Sequence, residues 1–128
     1  MPATPEHHTR AYIQSRLLEE IARARRYKIS FTVVTFEAAP GDGLPLYQKM
    51  KSGLGAIEGT VRSEDVVALA FDDTIVALLI QADKMRANDA LQRIRNQVAK
   101  HAGSWRITAY VYPDQADAIF ELPVLTAA

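Results

Sequence analysis

The chain has 128 residues, 48% hydrophobic and 23% charged, a composition that suits one globular domain able to hold a core without metal or disulfide and that argues against disorder. Fifteen Lys+Arg balance fifteen Asp+Glu, so no net charge draws the molecule to nucleic acid or to an anionic membrane. The absence of cysteine excludes disulfides and thiolate metal sites. With no apolar run longer than Ile75 to Ile80 and no basic-then-apolar pattern over Met1 to Glu6, the expected location is cytoplasmic, without membrane insertion by this chain.

Residues 1–5 hold two prolines and no apolar pattern, and read as a loose lead-in to a single domain over residues 1–128. From about Glu6 to Tyr27 the residues Ile13, Leu17, Leu18, Ile21 and Ala24 fall at helical spacing. Arg23, Arg25, Arg26 and Lys28 follow where a helix dipole favours cations, and read as a solvated helix end. Ile29 to Phe36 is β-branched and aromatic, a strand, and Ala39-Pro40-Gly41-Asp42-Gly43 breaks the chain after it. Leu46, Met50, Leu54 and Ile57 mark a second amphipathic helix, weakened by Gly53 and Gly55. Two apolar runs, Val66 to Phe71 and Ile75 to Ile80, flank Asp72-Asp73-Thr74 and predict a β-hairpin. Asp83 is placed to N-cap a third helix that buries Ala87, Ala90, Leu91, Ile94 and Val98. Trp105 to Tyr112 alternates as a fourth strand before Pro113, and the tail from Asp114 reads as short and irregular, with helical promise only in Ala116 to Phe120. The order α-β-α-β-β-α-β predicts an α+β fold: a ferredoxin-like βαββαβ core, with two helices on one face of an antiparallel sheet, and an additional N-terminal helix.

Residue chemistry by itself names no active site. His7 and His8 have no paired ligand spacing, and His101 reads as a cap or surface residue near a helix end. Asp72-Asp73 reads as a turn, and Trp105, Tyr110 and Tyr112 as sheet packing. No phosphate-binding Gly-rich loop follows a strand.

Longer segments carry a resemblance. Arg16-Leu17-Leu18-Glu19-Glu20-Ile21-Ala22-Arg23-Ala24-Arg25-Arg26 followed by an apolar strand, Thr9-Arg10-Ala11-Tyr12 before it, Arg62-Ser63-Glu64-Asp65-Val66-Val67-Ala68, Leu78-Leu79 and Leu91-Gln92-Arg93-Ile94-Arg95 occur in one order and register. Over roughly residues 4 to 112 the chain resembles the GGDEF (diguanylate cyclase) domains. It departs from them where they do chemistry. The five signature positions fall on Phe71-Asp72-Asp73-Thr74-Ile75, putting side chains where the family has two glycines and a threonine where it has an acid. The family's metal-binding aspartate at the end of the first strand falls on Thr35; Glu37 and Asp73 remain, whereas two Mg²⁺ ions and a triphosphate need carboxylates converging on one spot. The segments that serve phosphate and guanine in the family have no counterpart in Ala38 to Tyr47. The resemblance therefore implies a degenerate domain, a pseudo-enzyme with no catalytic residues, metal or cofactor.

What the resemblance retains is the family's second site, which binds cyclic di-GMP through an Arg-x-x-Asp before the signature and an arginine on the following helix. Here those positions are Arg62, Asp65 and Arg93, and Arg62 lies nine residues before the first signature position, as in the family. The chemistry suits guanine: a guanidinium fork can donate to O6 and N7, and a carboxylate can accept from N1–H and N2–H. The same spacing at Arg86-Ala87-Asn88-Asp89 has no obvious role, and Arg86, Arg93 and Lys100 recur every seven residues like an exposed helix stripe. The expectation is a cyclic di-GMP receptor, with ligand-linked homodimerisation or a partner protein; the alternative is an interaction or dimerisation module that binds no nucleotide.

Overall fold

Residues 9–127 are described by a computed structural model, and Thr9, extended at φ −86° and ψ 170°, opens them as an N-cap whose hydroxyl accepts the Tyr12 N–H at 3.2 Å. The first helix, α1 (Arg10–Tyr27), starts behind that cap and stops at Lys28, whose left-handed backbone (φ 54°) returns its N–H to the Ala24 carbonyl. The expected lead-in over residues 1–5, the helix start near Glu6 and the pair His7 and His8 lie outside the described residues.

There follow β1 (Phe31–Ala38), α2 (Leu46–Glu58), β2 (Val66–Phe71), β3 (Thr74–Leu79), α3 (Lys84–His101) and β4 (Trp105–Tyr112). The strands form one sheet in the order β2-β3-β1-β4, and β1–β3, β1–β4 and β2–β3 all pair antiparallel, as the ferredoxin-like order requires. Asp83 caps α3 as its position predicts, accepting the Arg86 N–H at 3.0 Å.

The central strand β1 is buried from Phe31 through Thr35 to Phe36 because both faces of the sheet are covered. On one face Val34, Phe36, Ile75 and Leu79 pack with Leu54 and Ile57 of α2 and Ile94 and Val98 of α3. On the other, Phe31, Val33, Val76 and Leu78 pack with Ile13, Leu17 and Ile21 of α1. The two helices expected on one face are thus only half of the covering, and α1 closes the second face.

The tail is ordered into helix rather than irregular. Past a cis Tyr112–Pro113 bond, α4 (Ala116–Phe120) forms where expected, and Pro123 begins a further short turn, α5 (Pro123–Thr126). Ile119, Leu122 and Val124 are buried on the α1 face, and Gln14 Nε2 donates to the Ala127 carbonyl at 3.1 Å. The open edge of β4 is blunted from two sides: Gln115 Oε1 of the tail accepts the Val111 N–H at 2.9 Å, and Arg95 Nη2 of α3 donates to the Ile107 carbonyl at 3.2 Å. Among the described residues no helix is long and apolar enough to cross a membrane.

Candidate functional site

Residues 62–65 form a turn between α2 and β2, closed by the Asp65 N–H donating to the Arg62 carbonyl at 3.1 Å. The Asp65 carboxylate doubles that closure. Its Oδ2 accepts the Arg62 backbone N–H at 3.0 Å, and its Oδ1 accepts the Ile80 N–H at 2.9 Å, tying the turn to the end of β3. An ionised carboxylate offers about four lone-pair sites, and these two bonds use half of them. The Arg62 guanidinium takes no part in the turn; its side chain is 58% exposed, with Glu64 Oε1 at 3.9 Å, a surface separation that contributes little.

Arg62, Asp65 and Arg93 line a single cleft of about 110 Å³, the turn supplying the first two and α3 the third. α3 brings two more charged residues to it, Arg86 and Asp89, because positions i, i+3 and i+7 share one helix face. The spacing at Arg86-Ala87-Asn88-Asp89 thus has a place after all: both of its ends face the cleft of the first Arg-x-x-Asp. Sequence spacing alone could not show this, since it requires knowing how α3 is rotated against the β3 end. Three arginines against two aspartates give the cleft a positive balance. Among the described residues no hydrogen bond or ion pair engages the side chains of Arg86, Asp89 or Arg93. Arg93 and Thr60 also border an open groove between α2 and α3, which reaches Lys51 and His101.

The signature positions lie on the hairpin: Phe71 ends β2, Asp72-Asp73 make the turn, and Thr74 opens β3, its hydroxyl donating to Asp73 Oδ1 at 2.9 Å. Thr35 and Thr74 line a cavity of about 130 Å³ together with Glu37 and Phe71, and Leu122 to Val124 of the tail lie across it. Two hydroxyls and one exposed carboxylate do not fit the pair of Mg²⁺ ions that the resemblance implies at this end of the sheet. Among the described residues no three His, Asp or Glu side chains come together as a metal-binding group.

The connection between β1 and α2 is clamped. Lys49, its side chain only 3% exposed, donates to Asp42 Oδ2 at 2.5 Å and to the Ala39 carbonyl. Asp42 also accepts the Ser104 N–H at 3.0 Å and the Leu44 N–H at 3.2 Å. The Lys49 hydrogen bond first, then these two backbone donors, hold the Asp42 carboxyl down at about 2. Gly103 makes room for the clamp: at φ 81° it adopts a left-handed backbone, and a Cβ there would stand 2.5 Å from Asp42 Oδ2.

No family model matches the chain, and no curated protein matches it. Its fold, however, is that of solved GGDEF domains. A DGC protein from Thermotoga maritima superposes with a TM-score of 0.78 at 19% identity, covering 95% of this chain and 97% of that one. A sensory box/GGDEF family protein from Caulobacter crescentus gives a TM-score of 0.72 at 17% identity, covering 90% of each chain. The GGDEF domain of DgcB from Caulobacter crescentus, solved in complex with c-di-GMP, gives 0.66 at 9% identity over 87% of this chain and 78% of that one. At these identities the likeness is one of fold.

Proposed function

We propose that this chain is a catalytically inactive GGDEF-like domain that binds cyclic di-GMP through Arg62, Asp65 and Arg93. The observation that carries the reading is their convergence: a turn and a helix distant in sequence bring all three to one cleft. The exposed Arg62 fork meets the O6/N7 edge of a guanine, and the open lone pairs of Asp65 accept from N1–H and N2–H. Arg93 stacks on the base or meets a phosphate. Charge-assisted bonds of this kind contribute about 1.5–3 kcal/mol each. The ligand bound to the DgcB domain supports the choice of nucleotide. In support of inactivity, Thr35 and Thr74 offer no charge to a metal ion, and the Asp42–Lys49 clamp fixes the loop that follows β1. The domain works in the cytoplasm, and ligand bridging two copies, or one copy and a partner, supplies the signal.

Equilibrium dialysis against cyclic di-GMP tests the binding, and a guanosine triphosphate turnover assay with Mg²⁺ tests the inactivity. Retention of the dinucleotide with no product is expected. A protein that retains none, or that forms product, rejects the corresponding half of the proposal.

One observation favours the second reading, an interaction module without nucleotide. Leu44, Leu46 and Tyr47 are exposed side by side at the start of α2, Tyr47 at 78%. A partner bound there with no dinucleotide retained would select it.

A further inference from the structure

We infer that the cleft reads two guanines, the second through Arg86 and Asp89. The inference rests on the cyclic di-GMP reading above and extends it to a residue pair outside the three already assigned.

The starting point is a repetition in space. Arg62 and Asp65, three apart on the turn, and Arg86 and Asp89, three apart on α3, line the same cleft. Each pair offers one planar five-donor fork and one acceptor-only carboxylate, the combination that meets both edges of a guanine. An adenine presents a donor where guanine presents O6, so the fork finds no second acceptor, and the carboxylate finds no N1–H. The α3 pair is also unspent. At positions i and i+3 Arg86 and Asp89 could neutralise each other, yet no ion pair joins them and no other described side chain engages either. Asp89 argues against a purely electrostatic role for this face. A surface built only to attract a phosphodiester would gain from losing that carboxylate, whereas a base-edge acceptor needs it. Arg93, one turn beyond Asp89 on the same face, then lies at the mouth shared with the α2–α3 groove, where the backbone of a dinucleotide leaves the cleft.

Calorimetry with cyclic di-GMP on the whole chain and on Arg62→Ala, Arg86→Ala, Arg86→Lys and Asp89→Ala tests this. Arg86 and Asp89 are exposed, so circular dichroism should show all variants folded. The expected result is a roughly 10- to 100-fold loss of affinity in Arg86→Ala and in Asp89→Ala. Arg86→Lys should restore little, because an ammonium keeps the charge and loses the fork. If Arg62→Ala abolishes binding while Arg86→Ala and Asp89→Ala match the wild type, the second pair has no role and the first reading stands. Tighter binding by Asp89→Ala overturns the base-edge assignment. A wild-type chain that gives no heat overturns both readings together.

Discussion

Asp65 holds Arg62 by its backbone and leaves the guanidinium alone: Oδ2 accepts the Arg62 N–H at 3.0 Å while the arginine side chain stays 58% exposed. One residue therefore holds the turn and lines the cleft at once, whereas the side chain of the other lines the cleft only. The two should separate in experiment. Asp65→Ala removes two hydrogen bonds from a charged acceptor and is expected to lower stability by about 1.5–3 kcal/mol as well as binding. Arg62→Ala should change stability by less than about 0.5 kcal/mol and affect binding alone. Urea denaturation beside a binding titration measures both, and a fully stable Asp65→Ala would contradict the role of its carboxylate in the turn.

Two glycines of α2 should respond with opposite signs. A Cβ at Gly53 would stand 2.5 Å from Trp105 Cζ2, and the indole is held by its Nε1–H donating to the Ala102 carbonyl at 2.8 Å. Gly53→Ala is expected to destabilise by about 1–2 kcal/mol and to shift the tryptophan fluorescence. Gly55 has open space around its Cβ position, so Gly55→Ala should stabilise by about 0.5–1 kcal/mol through helix propensity. Thermal unfolding of the two variants checks the pair.

The Asp42–Lys49 clamp predicts a pH dependence of fixed sign. The Asp42 carboxyl is lowered in the folded chain from 3.8 to about 2, so its contribution is complete above the unfolded value and fades as the pH falls through the folded one. The stability gap between wild type and Asp42→Asn should stay level from neutral pH down to about 5 and close progressively between about 4 and 2. A gap that widens on acidification would contradict the assignment.

The tail should be indispensable to the fold. Ile119 has no exposed surface, and Leu122 and Val124 are 6% and 2% exposed against the α1 face. Ile119→Ala is expected to cost about 2–5 kcal/mol in denaturant unfolding, a large fraction of the stability of a domain this size. A loss below about 1 kcal/mol would mean that the tail does not hold the sheet.

Much of this was legible from residue order because local signals decided it. The β-branched run that became β1, the Asp83 cap and the Asp72-Asp73 turn each specify their element within a few residues. The packing of the tail was not legible: Ala116 to Phe120 shows helical promise, but only the core between α1 and the sheet gives Leu122 and Val124 a place to bury. Gly53 weakens α2 by propensity alone, whereas in the fold the Trp105 indole, far along the chain, fills the space that a side chain there would take. The candidate site divides in the same way. Arg62, Asp65 and Arg93 were found by family register, whereas Arg86 and Asp89 needed the rotation of α3, and the backbone bonds of Asp65 needed the position of Ile80. Contacts between elements carry no short-range pattern, and these are the features missed.

Amide chemical-shift mapping with cyclic di-GMP tests the central claim most directly, because it locates the ligand as well as detecting it. The cleft predicts saturable shifts concentrated at residues 60–65, 80–82 and 86–93. Shifts confined to the cavity around Thr35 and Thr74, or none at millimolar dinucleotide, would contradict it.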